Sequence, residues 1–260
     1  MKISLITNPP YLARNKCIDK YIFNLYGAND LFRCFLLQLI NDVSLGGILI
    51  VPLNFFSGVC REDKALRIKF FKYYDVYHIN IFEEKVFEDT SCGVCSFLFK
   101  KKTVSLVQTN IHIYPENKKF IYLFNTENNF GFDNLLNLKG NSIYTINRLN
   151  LKNCSSISKT LIKVQCIDNI KSKINAYISN TDYIDTTKNF SCRAYMSLLI
   201  EPPISLSKQN RLVSLFNIYL EKKRKKYYSL FLPQYRCLGR KRISFQLVYR
   251  IIKHLINDLD

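Results

Sequence analysis

The chain has 260 residues, with 38 Lys and Arg against 20 Asp and Glu, and a formal net charge of +18. Its 48% of hydrophobic residues can build a core, which excludes an intrinsically disordered chain. No apolar run approaches the roughly 18 residues that a membrane span needs, so we expect no membrane partner. Nine cysteines at irregular spacing, without a secretory signal, favour reduced thiols and an intracellular, cytoplasmic protein.

The first fifty residues alternate between strand and helix patterns. Ile3–Thr7 is a short β-rich run that ends at Asn8-Pro9-Pro10-Tyr11, where the prolines must stop any ladder. Asn29-Asp30 can cap a helix over Leu31–Asp42, whose apolar residues recur at helical spacing. After Gly46-Gly47, the continuous apolar run Ile48–Leu53 predicts a buried strand.

The next fifty residues complete an α/β pattern. Glu62–Tyr74 predicts a second amphipathic helix, and Val76–Phe82 with Gly93–Phe99 alternates like the two arms of a hairpin. The order strand–helix–strand–helix–strand–strand is typical of the second half of an open, Rossmann-like α/β sheet. We therefore expect residues 1–103 to form a partial α/β sheet.

The composition changes after Lys100–Lys102, where Asn, Ser, Lys and Ile become dominant. The second part, 104–260, is expected to be a mixed α+β domain. Its predicted strands are 104–114, 119–124 and 143–147, its predicted helices are 208–226 and 243–259, and Glu201-Pro202-Pro203 is a predicted turn.

The positive charge is concentrated in this second part. Residues 1–104 carry 14 basic and 10 acidic side chains, whereas residues 105–260 carry 24 and 10. Such an excess interleaved with aromatic residues favours contact with nucleic acid, although a single basic run is often only a solvated helix face. The candidate phosphate contacts are Lys222, Lys223, Arg224, Lys225, Lys226, Arg236, Arg240, Lys241 and Arg242.

The tetrapeptide Asn8-Pro9-Pro10-Tyr11 suits one kind of chemistry. An exocyclic amino group is a poor nucleophile because its lone pair is delocalised into the ring. The Asn8 side-chain carbonyl and the Pro9 backbone carbonyl can accept its two N–H bonds and direct the lone pair at a methyl donor. The Tyr11 ring can stack on the base, and its hydroxyl is expected to be dispensable. The alternative is a simple strand-ending turn.

This segment and its surroundings resemble the gamma-type adenine-N6 DNA methyltransferases, in which the Asn-Pro-Pro-Tyr loop lies at the active site. The resemblance covers most of residues 1–100 and, less specifically, a patch near the C-terminus. It is carried by Asn8–Lys16, Asn29–Phe32, Gly46–Pro52, Val86–Val94, Pro233–Arg236 and Arg240–Phe245.

The resemblance implies roles for particular residues. Asn8 and Pro9 would hold the target amino group, with Pro10 stiffening the loop, while Tyr11 and Phe87 would contact the flipped base. Phe32, or Phe35 by a shifted alignment, would border the adenine of S-adenosylmethionine. Residues 104–260 would be the target-recognition domain that reads duplex DNA. Phe87 is otherwise an ordinary core residue.

One family feature is missing. The family binds S-adenosylmethionine through a Gly-rich strand-to-helix turn before the Asn-Pro-Pro-Tyr loop, but here seven residues precede Asn8 and the eight glycines form no Gly-x-Gly. We therefore expect the C-terminal half of a methyltransferase catalytic domain, with a second polypeptide supplying the cofactor half. The strand Ile3–Thr7 should then lie at an exposed apolar edge.

Other functions stay open. An rRNA or protein-glutamine methyltransferase also uses Asn-Pro-Pro-Tyr, although the long basic second part favours DNA. A non-catalytic DNA-binding specificity module, or a degenerate methyltransferase remnant, would need no cofactor. Cys92 and Cys95 are the one Cys-x-x-Cys pair in the sequence and are interpreted as core residues, so we expect no metal site.

Overall fold

In a computed structural model, the chain divides into two compact units. Unit 1 comprises Met1–Asp133 with Arg236–Gly239, and unit 2 comprises Asn134–Tyr235 with Arg240–Asp260. The structure describes residues 4–42, 45–102, 107–132, 135–138, 142–184, 194–235, 237–257 and 259. Within these ranges, no helix is both long and apolar enough to cross a bilayer.

Unit 1 is built on a six-stranded mixed sheet with the order β1-β2-β4-β3-β5-β6. Strands β1, β2, β3 and β5 run in one direction, and β4 and β6 run in the other. The strands are β1 (Ser4–Thr7), β2 (Gly46–Pro52), β3 (Tyr74–Phe82), β4 (Val94–Lys101), β5 (Gln108–Tyr114) and β6 (Lys118–Leu123). The predicted buried strand and the predicted hairpin are confirmed as β2 and as β3 with β4.

Helices connect β1 to β2 and β2 to β3. They are a 3-10 turn (Arg14–Lys16), α1 (Tyr21–Tyr26), α2 (Leu31–Asn41), α3 (Asn54–Ser57) and α4 (Arg61–Tyr73). Helix α2 begins where predicted, because the Asp30 carboxylate accepts a hydrogen bond from the Phe32 N–H at 3.3 Å. Its buried face includes Leu36 and Leu39.

The core of unit 1 is rich in phenylalanine. Phe97 on β4 is 1% exposed, and its ring centroid lies 5.7 Å from that of Phe55 and 5.3 Å from that of Phe56. Rings at these separations add offset and edge-to-face contacts to the burial of apolar surface. This cluster attaches α3, and with it the end of β2, to the sheet.

A buried arginine joins three segments of unit 1. Arg67 on α4 is fully buried, and its Nη1 donates to the Phe55 carbonyl at 2.9 Å and to the Gly58 carbonyl at 2.8 Å. Its Nε donates to the Asn129 carbonyl at 3.1 Å. A Cβ on Gly131 would lie 2.8 Å from the guanidinium, so this position has no room for a side chain.

In the structure, the boundary between the two units lies near residue 133, whereas the sequence predicted it near residue 103. Strand β5 pairs parallel to β3, with His78 opposite Asn110, and β6 pairs with β5. The compositional change after Lys102 therefore falls inside one continuous sheet. Residues 104–106 of the predicted strand 104–114 lie outside the described residues.

Unit 2 combines a four-stranded antiparallel sheet, in the order β7-β10-β8-β9, with two helices. Its elements are β7 (Thr145–Arg148), β8 (Lys159–Gln165), β9 (Asn175–Ile178), β10 (Tyr195–Glu201), α5 (Leu206–Tyr227) and α6 (Phe245–Ile256). Two short paired strands, β11 (Gln234–Tyr235) and β12 (Cys237–Lys241), come between α5 and α6 in the chain, and the first three residues of β12 belong to unit 1. The predicted fold class, an α/β sheet followed by a mixed α+β unit, is confirmed.

Removing the buried guanidinium should destabilise unit 1. Arg67→Met leaves three carbonyl groups without their donor, at about 1–3 kcal/mol each, so the free energy of unfolding should fall by about 3 kcal/mol or more. Arg61→Met, on the exposed first turn of the same helix, should change it by no more than about 0.5 kcal/mol. Urea denaturation followed by circular dichroism measures both, and equal midpoints would contradict the role given to Arg67.

Candidate functional site

The Asn-Pro-Pro-Tyr loop leaves the sheet at the carboxyl end of β1. The parallel ladder between β1 and β2 ends at the pair Thr7 and Leu49, and the two prolines that follow have no N–H to extend it. Open α/β sheets bind ligands at this end of their strands. Strand β1 is also the outer strand of the described sheet, and its Ile6 is 80% exposed, as expected for an apolar edge.

The start of helix α2 holds the loop from the other side. Ala13 and Asp30 form an isolated antiparallel bridge. The Arg14 N–H donates to the Asn29 carbonyl at 3.0 Å, and the Leu31 N–H donates to the Leu12 carbonyl at 3.0 Å. The segment Asn29-Asp30-Leu31 therefore both caps α2 and anchors the chain just after Tyr11.

The hydroxyl of Tyr11 has two polar neighbours. Its oxygen lies 2.8 Å from the Ile50 carbonyl oxygen of β2 and 2.5 Å from the Asn8 Oδ1. Burial, with smaller effects from the Cys95 and Cys92 thiols, raises the pKa of Tyr11, so the phenol stays protonated at neutral pH.

The sequence analysis did not predict these contacts. It considered the ring of Tyr11 for stacking, whereas the structure places the hydroxyl between the Asn8 side chain and the Ile50 carbonyl of β2. The only sequence signal for such a contact is indirect, since Pro9 and Pro10 cannot donate to a carbonyl of the neighbouring strand.

The structure brings the two predicted aromatic rings together. The centroids of Tyr11 and Phe87 are 6.4 Å apart, and the ring planes are inclined at 62°. Both side chains are half-buried, while Asn8 is exposed. A flat base lying parallel to Tyr11 would therefore meet Phe87 edge to face, which is a favourable aromatic geometry.

Phe87 lies in the loop between β3 and β4, and this loop is tied down near its end. The Ser91 carbonyl accepts a hydrogen bond from the Leu238 N–H at 2.6 Å, and the Gly93 carbonyl accepts one from the Leu53 N–H at 2.9 Å. Leu238 belongs to the C-terminal segment that the chain returns to unit 1. Sequence reasoning missed this anchor.

The predicted cofactor residue Phe32 lies in the core of unit 1. Phe32 is only 4% exposed, so its ring offers almost no face to a ligand, whereas Phe35 is half-buried on the same helix. The sequence contains no Gly-x-Gly to hold S-adenosylmethionine.

The cysteine pair belongs to the sheet. Cys95 is fully buried on β4, and its Sγ lies 3.7 Å from the Val51 carbonyl oxygen. Burial raises the pKa of the Cys95 thiol, which keeps it protonated. Among the described residues, no three His, Cys, Asp or Glu side chains converge as metal ligands.

The first basic run divides into two kinds of residue. Lys222, Lys225 and Lys226 are exposed on α5. The Arg224 guanidinium instead forms two hydrogen bonds with the Asp168 carboxylate, at 2.7 and 3.2 Å, and Asp168 is 1% exposed. Arg224 is thus engaged inside unit 2.

Lys223 is partly engaged as well. Its Nζ lies 3.4 Å from the Leu136 carbonyl oxygen and 5.1 Å from the centroid of the Tyr219 ring. Of the five predicted phosphate contacts in this run, three therefore have exposed side chains. Among these three, the Lys225 Nζ pairs with the Glu221 carboxylate at 2.7 Å, and the Lys226 Nζ lies 5.2 Å from the centroid of the Tyr227 ring.

The second basic run is integrated into unit 2. The Arg240 Nε donates to the Asp168 carbonyl at 2.9 Å, and the Lys241 side chain is 5% exposed. Arg242 is half-buried. Arg236 lies outside the described residues.

No protein-family model matches the chain, and no curated protein sequence matches it. Among solved structures, it is similar to the type IIG restriction endonuclease BpuSI, with 14% identity over 58% of this chain and 25% of that one, at a TM-score of 0.37.

Two further similar structures also come from restriction–modification systems. One is a modification subunit of a putative type I restriction enzyme from Vibrio vulnificus YJ016, with 16% identity over 50% of this chain and 29% of that one, at a TM-score of 0.31. The other is the type IIL restriction-modification enzyme MmeI in complex with DNA, with 10% identity over 55% and 22%, at a TM-score of 0.37. The chain spans about a quarter of the length of these proteins.

The position of Phe87 can be tested by stability. Phe87→Ala should lower the free energy of unfolding by about 1 kcal/mol or less, because a half-buried loop ring supports little of the core. Phe97→Ala, in the phenylalanine cluster, should lower it by about 3–5 kcal/mol. Urea denaturation of both variants makes the comparison, and equal losses would place Phe87 in the core.

Proposed function

We propose that the chain is the base-binding component of a site-specific DNA adenine-N6 methyltransferase. The observation that carries this proposal is the Asn8–Tyr11 loop. It stands at the carboxyl end of β1 with an exposed amide at Asn8 and two aromatic rings, Tyr11 and Phe87, at 62° to each other. A strand-ending turn needs none of these features.

The loop offers acceptors for an amino group. The Asn8 side-chain oxygen and the Pro9 carbonyl oxygen accept the two N–H bonds of adenine N6, which orients the nitrogen lone pair out of the ring plane. Pro9 is buried and its φ is fixed by its ring, so the acceptors are set before the base arrives. S-adenosylmethionine supplies the methyl group.

The two rings hold the base that carries this amino group. Stacking on an aromatic side chain contributes about 1–3 kcal/mol per base, and Tyr11 offers its face for it. The ring of Phe87 borders the same space, with its plane inclined at 62° to that of Tyr11. An unpaired adenine extruded from duplex DNA presents both the flat face and the amino edge that this arrangement requires.

The cofactor-binding half of the enzyme is proposed to come from a second polypeptide. The outer edge of β1 has no strand beside it among the described residues, and Ile6 is 80% exposed there. Such an edge is a template for a further strand. A sheet extended beyond β1 would place new residues beside Asn8, where the methyl donor is needed.

Unit 2 is proposed to be the part that holds duplex DNA. It carries most of the positive charge of the chain, and the exposed Lys222, Lys225 and Lys226 lie within two turns of α5. Ammonium groups on one helix end bind phosphates by releasing counterions. Arg224 and Arg240, which bind Asp168, are proposed to shape this surface rather than to contact DNA.

Catalysis depends on Asn8 if the proposal is right. The chain is co-expressed with the polypeptides encoded beside it, and transfer of labelled methyl groups from S-adenosylmethionine to unmethylated DNA is measured, with N6-methyladenine identified by mass spectrometry. Asn8→Ala should lower kcat on the order of 100-fold, because a preorganised polar contact is lost.

The matched control is Asn41→Ala, an exposed asparagine at the end of α2 that should leave the rate unchanged. Full activity in Asn8→Ala would remove this loop from the active site. DNA binding without methyl transfer in every co-expression would favour the non-catalytic specificity module.

Binding to DNA should depend on the exposed lysines. Changing Lys222, Lys225 and Lys226 together to Gln should lower affinity and reduce the slope of log K against log salt by up to about 3, at roughly 0.9 per phosphate contact. Fluorescence anisotropy of a labelled duplex across a salt series gives this slope.

A second triple variant, which removes the same number of charges elsewhere, distinguishes the effect of local phosphate contacts from the effect of net charge. Lys152, Lys171 and Lys173 are exposed in unit 2, and the triple change of these residues to Gln removes the same charge elsewhere. The slope should stay close to that of the unmodified chain. The same slope for both triple variants would show that this part of α5 makes no particular contact with phosphates.

A further inference from the structure

The two contacts of the Tyr11 hydroxyl cannot both use its proton. A phenol carries one hydrogen, and the Ile50 carbonyl, 2.8 Å away, can only accept. In the structure the Asn8 Oδ1 lies 2.5 Å from the phenol oxygen on the other side, and a 180° turn of the amide exchanges Oδ1 for Nδ2 at this position. The chemistry of the surroundings decides which end of the amide faces Tyr11.

The Tyr11 hydroxyl donates its proton to the Ile50 carbonyl. The β1–β2 ladder stops at Thr7 and Leu49, and Pro9 and Pro10 have no N–H to offer to the next carbonyls of β2. The raised pKa of Tyr11 keeps the proton on the phenol. A hydroxyl that donates to Ile50 then has only lone pairs left for its second neighbour.

We infer that the Tyr11 hydroxyl is a positioning group that fixes the direction of the Asn8 amide. In the inferred arrangement the Asn8 amide is turned by 180°, so that its Nδ2–H donates to the Tyr11 oxygen and its carbonyl oxygen faces outward, toward solvent on the exposed side of the loop. This inference rests on the proposed function for its catalytic meaning.

The direction of the amide determines which ligand the loop accepts. An outward carbonyl oxygen accepts an N–H and so selects a ring that bears an amino group. An outward NH₂ group would donate instead, and would select a ring that bears a carbonyl at the same position. Tyr11 therefore contributes to specificity through its hydroxyl as well as through the stacking of its ring.

Nuclear magnetic resonance of the full chain tests the inference without any ligand. With ¹⁵N-labelled Asn, the side-chain signals of Asn8 are the pair that disappears in Asn8→Ala. In the unmodified chain, one of the two Nδ2 protons should exchange slowly with water because it is bonded to Tyr11. In Tyr11→Phe, both should exchange as fast as those of an exposed asparagine.

Tyr26→Phe is the matched control, since it removes a hydroxyl that donates to the side chain of Gln38 elsewhere in unit 1. It should leave the Asn8 signals unchanged. Fast exchange of both Asn8 protons in the unmodified chain would mean that the amide oxygen faces Tyr11, and would overturn the inference.

The methylation assay separates the inference from the proposed function. Tyr11→Phe keeps the ring, so the KM for DNA should stay within about twofold while kcat falls by up to about tenfold, as for one lost hydrogen bond. A chain that shows the slow Asn8 proton but no methyl transfer would retain the inference and lose the proposed function. Methyl transfer with an unchanged kcat in Tyr11→Phe would retain the proposed function and exclude a positioning role for the hydroxyl.

Discussion

The buried guanidinium of Arg67 is the interaction on which the first unit depends. A fully buried charge is tolerated only when hydrogen bonds surround it, and Arg67 finds its acceptors on Phe55, Gly58 and Asn129. These carbonyls belong to the segment after β2 and to the turn after β6. One side chain on α4 thus holds the end of β2 in place and joins the β5–β6 extension to the rest of the sheet.

Local patterns were sufficient for much of the fold. Helices α2 and α4 and strand β2 lie within two residues of their predicted bounds, because apolar spacing, an Asp cap and a continuous apolar run each act over a few neighbouring residues. The position of the Asn-Pro-Pro-Tyr loop followed from the same reasoning, since a proline pair must end a strand. The closeness of Tyr11 and Phe87 came from the family resemblance instead.

Features that depend on distant contacts were not predictable in this way. The predicted boundary at residue 103 was wrong because β5 pairs with β3, and the whole of β4 separates these two strands along the chain. The hydroxyl of Tyr11 reaches a carbonyl 39 residues away, and Arg224 binds an aspartate 56 residues away. In the sequence, nothing distinguishes Arg224 from the neighbouring basic residues. Only the folded chain shows that it binds Asp168.

The prolines of the loop also constrain whatever lies beyond β1. An incoming strand can follow the backbone of Ser4–Thr7, but Pro9 and Pro10 offer it no further hydrogen-bond donors. It must therefore diverge from the sheet where the loop begins. Pro9 and Pro10 thus also prevent a neighbouring strand from covering the loop. A sheet extended beyond β1 would therefore leave a cleft beside Asn8.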